Sequence, residues 1–468
     1  MSGHSPASPP HTRFSMTERT NTAASLPPNA PAGRSPAESR RAGRAAFIGT
    51  LLEYYDFSLY ASAASVVFAS VFFSGSSAFL GTLQAVATFA VGFLVRPIGG
   101  VILGSLGDRL GRKKILVFTM LLMGGATLLV GLLPSYAQIG WVAPLLLVLL
   151  RVLQGIGASG EYGGAALVAV EFAPDKKRGL LGSLPGMGAA LGGVLGSLSL
   201  LLVSAVMSQE SFLSWGWRIP FLFSVVILAY GLWLRRTLPE TPAFENAQKT
   251  EKLTKTPIRD VIRQQPRALI AVLVMTIGQT GIGYFYIVFM GTFGTNQLGF
   301  GGTEVLVGLI AAQLTNAILI PLFGTLSDRV GRQPVIIFGF LYSAVFAWAG
   351  MAMLSGMDTP PLMFWLVMAM GNGIGVAAIF GPMGAYVIEL FRTQHAYTGL
   401  GLGREGGNAI GAAVVPVIAV ALAFDDTTVW LSFLICVVSL LGFAGTVLAG
   451  RRKASEPEVV EAKAPVSA

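Results

Sequence analysis

Charge is the first thing this chain lacks. Only 12% of its 468 residues are Asp, Glu, Lys or Arg, where soluble domains carry about 25%. With 53% hydrophobic residues and a mean hydropathy of +0.67, that excludes an ordinary soluble core. Cysteine is nearly absent: Cys436 stands alone, so neither a disulfide framework nor a thiolate metal site is available. Of three histidines, His4 and His11 fall in a polar leader and His395 in a loop, which leaves no metal or heme site inside the apolar segments. No Walker phosphate loop occurs, excluding a self-contained ATP-driven pump. No nucleophile–base set points to an enzyme. The last residues show no heptad pattern, so no coiled-coil extension is expected.

Long apolar runs are what the chain has instead. They fall at about 45–73, 79–104, 114–133, 142–172, 180–207 and 219–236, then at 268–294, 303–326, 334–354, 361–388, 397–423 and 428–450. Runs of about 20 apolar residues predict membrane-spanning helices. Twelve of them, in two sets of six, predict an all-α integral membrane protein of two six-helix bundles. The expected organisation is a disordered cytoplasmic tail over 1–42, a first bundle over 43–236, a cytoplasmic linker over 237–266, a second bundle over 267–450 and a cytoplasmic tail over 451–468.

A duplicated loop supports the two halves. Gly104-Ser105-Leu106-Gly107-Asp108-Arg109-Leu110-Gly111-Arg112 returns as Gly324-Thr325-Leu326-Ser327-Asp328-Arg329-Val330-Gly331-Arg332, at an offset of 324 − 104 = 220 residues. The net charge of +9 is distributed by topology, not as a nucleic-acid footprint. Arg109, Arg112, Lys113, Lys114, Lys176, Lys177, Arg178, Arg235, Arg236, Arg329, Arg332 and Arg392 occupy alternate loops, and Arg218 is the one clear exception. By the positive-inside rule those loops and both termini are cytoplasmic.

Ionisable groups within the bilayer cost at least about 2.5–3.5 kcal/mol each, so each needs a partner or a function. Glu53 and Asp56 are three residues apart and share a helix face. At 1.5 Å per residue, Asp56 lies roughly 16 Å from the cytoplasmic end and Arg151 roughly 14 Å from the external end of the fourth helix. Desolvation favours a neutral carboxyl and a nearby guanidinium a charged one. Substrate binding at Arg151 can therefore switch a proton on Asp56 or Glu53; the alternative is a permanent ion pair joining helices. Arg151, Gln154, Ala158 and Glu161 form one helical stripe, expected to face a water-filled cavity. Arg151 and Gln154 suit a carboxylate. Glu161 joins the candidate substrate set, as a second proton site or a structural partner. Arg404, beside Glu405 and near Asn408, reads as a second anion contact or as half of a local charge pair. Gln279, Tyr284 and Asn372 are candidate cavity-lining groups, although polar residues in membrane helices also simply bond between helices.

The duplicated loops read as gates. Their glycines permit tight turns, and Asp108, Arg109, Arg112, Asp328, Arg329 and Arg332 can pair with charges or helix ends across the bundles. Glu171 with Arg178, and Glu389 with Arg392, extend that set. The glycine-rich runs Gly186–Gly196 and Gly371–Gly384 read as helix-packing devices.

Taken together, the paired loops resemble the major facilitator superfamily, and within it the metabolite:proton symporter family. So do Glu53-Tyr54-Tyr55-Asp56-Phe57, Arg96-Pro97-Ile98-Gly99-Gly100, Arg151-Val152-Leu153-Gln154-Gly155, Gly160-Glu161-Tyr162-Gly163-Gly164 and Ser214-Trp215-Gly216-Trp217-Arg218-Ile219-Pro220-Phe221. The resemblance covers about 45–450. Glu171 through Arg178-Gly179, and Pro239-Glu240-Thr241-Pro242, are similar to end motifs of related sugar porters. The resemblance implies a monomeric secondary transporter of a bacterial inner membrane. It would use no cofactor beyond the coupling proton and need no obligate protein partner. Its partners would be a small metabolite, protons and lipid, with a first-helix acid and a fourth-helix arginine in the coupling roles. Uptake of a carboxylate by proton symport is the expected activity; a zwitterion such as betaine or proline, or proton-driven export, are the alternatives. Arg404-Glu405 stands where the family often has a neutral polar pair, and is a departure from it.

Overall fold

The computed structural model describes residues 1, 3, 36–100, 102–103, 112–159, 161–237, 257–356, 359–391, 396–423 and 428–450. In a bilayer no water is available to the backbone, so apolar runs of this length close their hydrogen bonds within helices. The spanning helices of the first bundle are α1 (Pro36–Val66), α2 (Phe79–Gly100), α3 (Arg112–Leu132), α4 (Val142–Glu171), α5 (Arg178–Val206) and α6 (Arg218–Thr237). Those of the second are α7 (Pro266–Asn296), α8 (Gly302–Val330), α9 (Arg332–Met353), α10 (Pro361–Leu390), α11 (Ala396–Leu422) and α12 (Thr428–Ala449). Among the described residues, nine helices are long and apolar enough by themselves to cross a membrane, and the bent pair Gln209–Gly216 with Arg218–Leu232 makes a tenth. The basic start of α1 and the shorter apolar part of α3, Val117–Leu132, account for the remaining two.

Several boundaries differ from the sequence expectation. α1 begins at Pro36, inside the stretch expected to be a tail. Proline suits a first helical turn, and the following Ala, Glu and Arg residues favour helix. Ser39 anchors this extension by donating to the carbonyl of Phe172 at 2.5 Å. α4 is broken into Val142–Gly157 and Glu161–Glu171. Within the expected linker, Pro257–Gln264 forms a short helix that buries Val261 and exposes Arg259 and Arg263. Asp108, Arg109 and Arg392, the side chains of Arg112 and Glu161, and the 451–468 tail lie outside the described residues.

Large apolar side chains remain exposed on the outer helices, among them Leu129, Phe223, Val345 and Phe433. Such a belt suits lipid. Arg218, the exception to the loop-charge pattern, closes the end of α3: it donates to Leu133 O at 3.0 Å and Ser214 O at 2.7 Å while lying 4.5 Å over the Trp217 ring.

Within the first bundle, α5 meets α1 along Gly188, Gly192 and Gly196. A Cβ on Gly196 would lie 2.7 Å from Leu59 N, so the helices approach backbone to backbone as the glycine spacing predicts. Between the bundles, α5 and α8 touch at Gly179 and Gly324, where a Cβ on Gly324 would sit 2.8 Å from Gly179 O.

Candidate functional site

A cavity lies between the two bundles with about 50 Å³ of room for water-molecule centres. One water needs about 10–15 Å³ by that measure, so the space holds a few waters and must widen for a metabolite. Its wall takes Tyr54 and Ser58 from α1, Gln279 and Tyr284 from α7, Gln313 and Asn316 from α8, Asn372 from α10, and Arg404 and Asn408 from α11. Two wide π-type turns, Phe285–Phe289 in α7 and Gly371–Val376 in α10, stand at this level. Such turns locally interrupt the regular ladder and recur at functional sites.

Polar atoms in the wall lack protein partners. Gln279 Oε1, Gln313 Nε2, Asn316 Oδ1, Asn372 Oδ1 and both amide atoms of Asn408 are buried without a hydrogen bond. Buried polar groups are ordinarily satisfied, so this concentration marks a surface prepared for polar contacts. Arg404 supplies the charge. Its guanidinium lies 3.7 Å over the Tyr162 ring and donates to Glu405 Oε1 at 2.9 Å.

Behind Arg404 is a charge cluster that spans the bundles. Arg96 of α2 donates through Nη2 to Glu53 Oε1 at 3.1 Å, and its Nη1 stands 3.8 Å from Glu405 Oε2. The same guanidinium lies 4.3 Å from the Phe57 ring centre and 4.7 Å from that of Phe93. Glu53, Arg96, Arg404 and Glu405 are all buried, and they alternate in sign. Alternation is what allows charges to be kept out of water.

The expected stripe on α4 is placed differently. Arg151 and Gln154 are buried inside the first bundle and do not line the cavity. Arg151 sits 4.0 Å over the Tyr60 ring, with Phe89 at 5.0 Å and Phe57 at 5.1 Å, a cation–π cage. It donates to Gln154 Oε1 at 3.0 Å, and Gln154 Nε2 donates to Thr127 Oγ1 at 2.7 Å. Gly92 makes the room: a Cβ there would lie 2.7 Å from Arg151 Nε. The cage and the amide relay hold the guanidinium, with Nη2 3.5 Å from Phe89 O and Nε left without a partner, so Arg151 and Gln154 face packed protein. Asp56 is buried close by, beside Thr127, with Oδ1 unpartnered. Among the described residues no ion pair joins Asp56 to Arg151. Of the sequence candidates for substrate, Gln279, Asn372 and Arg404 are thus together at the cavity, and Arg151 and Gln154 are not.

Tyr54, Gln313, Asn316 and Asn408 line the cavity too and were not in the candidate substrate set, nor was Arg96 singled out as a charged partner. Gln313 and Asn316 carried a legible signal: two amides three residues apart in an otherwise apolar segment.

The two ends of the cavity carry different contacts. At one end Asp328 of α8 accepts from the backbone N–H groups of Gly179 at 2.8 Å and Leu180 at 3.0 Å, the first turn of α5. Arg332 donates to Asp328 Oδ1 at 2.6 Å, to Ser327 Oγ at 3.1 Å and to Glu389 Oε1 at 3.5 Å. Gly331, at φ +97°, makes the turn from α8 to α9 that brings Arg332 back. Glu171 and Arg178 sit at this same end of α4 and α5. No hydrogen bond of Arg329 falls among the contacts described. At the other end Ser65 donates to Val288 O at 3.2 Å, and Asn296 Nδ2 donates to Thr82 Oγ1 at 3.0 Å. Among the described residues, both ends of the cavity thus carry contacts between the bundles.

Comparison with known proteins agrees with this architecture. The Sugar (and other) transporter family matches residues 44–265, and the Major Facilitator Superfamily matches residues 295–467. The chain is 40% identical to the inner membrane metabolite transport protein YhjE of Escherichia coli K12, over 80% of this chain and 86% of that protein. It is 38% identical to the shikimate transporter of the same organism, over 82% and 88%. A proline/betaine transporter of Salmonella typhimurium LT2 is 37% identical over 66% of this chain and 63% of its own length. In fold, a crystal structure of a D-xylose–proton symporter superposes with a TM-score of 0.68 at 18% identity, covering 89% of this chain and 98% of that one. The relatives are transporters and not enzymes. With twelve helices in two bundles about a central cavity, this chain belongs to the major facilitator superfamily of multi-pass membrane transporters.

Proposed function

We propose that the protein takes up a small organic carboxylate together with protons by alternating access of the two bundles around the central cavity. One observation carries this reading: among the described residues lining the cavity, Arg404 is the one guanidinium, and it shares the wall with several unpartnered amides. A guanidinium can bind a carboxylate bidentately, and amides suit hydroxyl or carbonyl groups on the same molecule. A relative named for shikimate, a hydroxylated carboxylate, supports that class. Asp56 is our candidate for the coupling acid, because it is buried with one oxygen free of protein donors. Glu53, held by Arg96, is the second candidate.

The Asp328 clasp serves as the cytoplasmic gate in this reading, with both termini on the same side, as the basic loops predict. The site is a bacterial inner membrane, and the chain works as a monomer with no cofactor beyond the proton. A second reading has its own observation. The rings of Tyr54, Tyr284 and Phe380 also line the cavity, and aromatic faces suit a quaternary ammonium, as in the betaine that the Salmonella relative is named for.

The test uses purified protein in liposomes with an imposed pH gradient and a labelled panel: shikimate, 2-oxoglutarate, lactate, proline, glycine betaine and xylose. Accumulation of an acid that collapses with the gradient supports the carboxylate symporter. Accumulation of betaine or proline alone favours the second reading. Equilibration of every compound regardless of the gradient sinks proton coupling.

A further inference from the structure

The charge cluster beside the cavity carries a step beyond carboxylate symport, and rests on that reading. Arg404 stands in the cavity wall and holds Glu405 Oε1 at 2.9 Å. The other oxygen, Oε2, is buried without a hydrogen bond and lies 3.8 Å from Arg96 Nη1. Arg404 and Glu405 belong to α11 of the second bundle, Arg96 to α2 of the first. One carboxylate therefore lies between a guanidinium of its own bundle, to which it is hydrogen-bonded, and a guanidinium of the other bundle, with which it makes only a longer ion pair. Arg96 is kept in place from its far side by Glu53 at 3.1 Å and by the Phe57 and Phe93 rings.

A carboxylate arriving in the cavity meets Arg404 already occupied by Glu405. Two carboxylates on one guanidinium repel, and a neighbouring guanidinium is available to only one of them. We propose that Glu405 exchanges guanidiniums when substrate binds: the substrate's carboxylate takes Arg404, and Glu405 moves onto Arg96. The step is about 1 Å, from 3.8 Å to the roughly 2.8 Å of a charge-assisted hydrogen bond. It ties α11 to α2 and so draws the bundles together only when an anion is present. The cluster holds two carboxylates and two guanidiniums before the exchange and keeps every member paired after it. An uncharged molecule leaves Glu405 on Arg404, so the exchange also selects against neutral substrates. Glu405 is a positioning residue: it reads the charge on Arg404 and converts it into closure.

The test is the kinetics of substrate exchange in liposomes, using the panel acid that the wild-type protein accumulates. Exchange needs binding and occlusion but no net proton movement. Glu405→Gln removes the competitor for Arg404 and the link to Arg96. We expect KM to fall by about threefold or more and kcat by about tenfold, a split that a merely structural loss does not produce. Glu405→Asp keeps the charge on a side chain one methylene shorter, and should lower kcat at a KM near wild type. Unchanged KM and kcat in Glu405→Gln, or a raised KM at unchanged kcat, overturns the proposal. Should that variant fail to reach the membrane, wild-type kinetics in Glu405→Asp overturns it. Failure of the symport reading looks different: there the wild-type protein accumulates no acid, and whichever panel compound exchanges serves as the probe.

Discussion

Asp328 in the second bundle caps the helix that begins at Arg178 in the first, accepting from Gly179 N at 2.8 Å and Leu180 N at 3.0 Å. The start of a helix presents unpaired N–H groups and a partial positive charge, to which a carboxylate is complementary. One side chain thereby fastens two bundles, and Arg332 at 2.6 Å steadies it.

Asp328→Asn keeps the shape and removes the charge. Hydrogen bonds to charged groups contribute about 1.5–3 kcal/mol, so the closed state at this end should lose roughly tenfold or more in population. A cysteine placed at Ser183, buried beside Gly324, reports the opening in a Cys436→Ser background. We expect faster labelling by a polar maleimide with an unchanged substrate profile. Unaltered labelling would deny the clasp a gating role.

Two arginines that look alike in the sequence should behave differently. Arg404 lines the cavity; Arg151 is enclosed by Tyr60, Phe89 and Phe57. Lysine cannot replace a planar fork. Arg404→Lys should raise the KM for the transported acid by about tenfold, the scale of 1.4 kcal/mol, with little loss of thermal stability. Arg151→Lys should instead lower the melting temperature, because a stacked cation loses its cage. The opposite assignment of KM and stability effects would return Arg151 to the substrate site.

The contrast shows what was legible beforehand. Runs of apolar residues and the repeat of Asp108 at Asp328 reveal twelve helices and two halves, because backbone satisfaction in lipid leaves little choice. Gly188, Gly192 and Gly196 likewise declare a close helix contact by spacing alone. The site is harder to read. An arginine in an apolar helix must be satisfied by something, but periodicity does not say whether by water, by substrate or by rings on neighbouring helices. Arg151 meets Tyr60 from α1 and Phe89 from α2, partners distant in sequence. Arg96 was visible only as part of a motif, since its partner Glu405 is 309 residues away (405 − 96) and in the other bundle.

Asp56 is buried with Oδ1 unpartnered and Thr127 against its carboxyl. Asp56→Asn keeps a hydrogen-bonding amide and fixes the group as uncharged. Gradient-driven accumulation should be lost while exchange of labelled for unlabelled substrate continues at a rate within about threefold of wild type, since only the proton-dependent step is removed. Accumulation that persists moves the coupling proton elsewhere; loss of both activities in folded protein makes Asp56 structural.

The glycine seam offers a test of packing independent of transport. Alanine in place of a mid-helix glycine stabilises a helix by about 0.5–1 kcal/mol where space allows. At Gly125 in α3 a Cβ would meet nothing within 4 Å, whereas at Gly192 it would press on the α1 backbone, 2.9 Å from Tyr55 N. Gly125→Ala should therefore raise the melting temperature in detergent. Gly192→Ala should lower it, because α1 and α5 must separate, and backbone cannot turn aside as a flexible side chain does. Equal shifts in the two variants would mean that helix propensity, rather than the α1–α5 contact, dominates, and that the bundle tolerates a wider seam than its glycines imply.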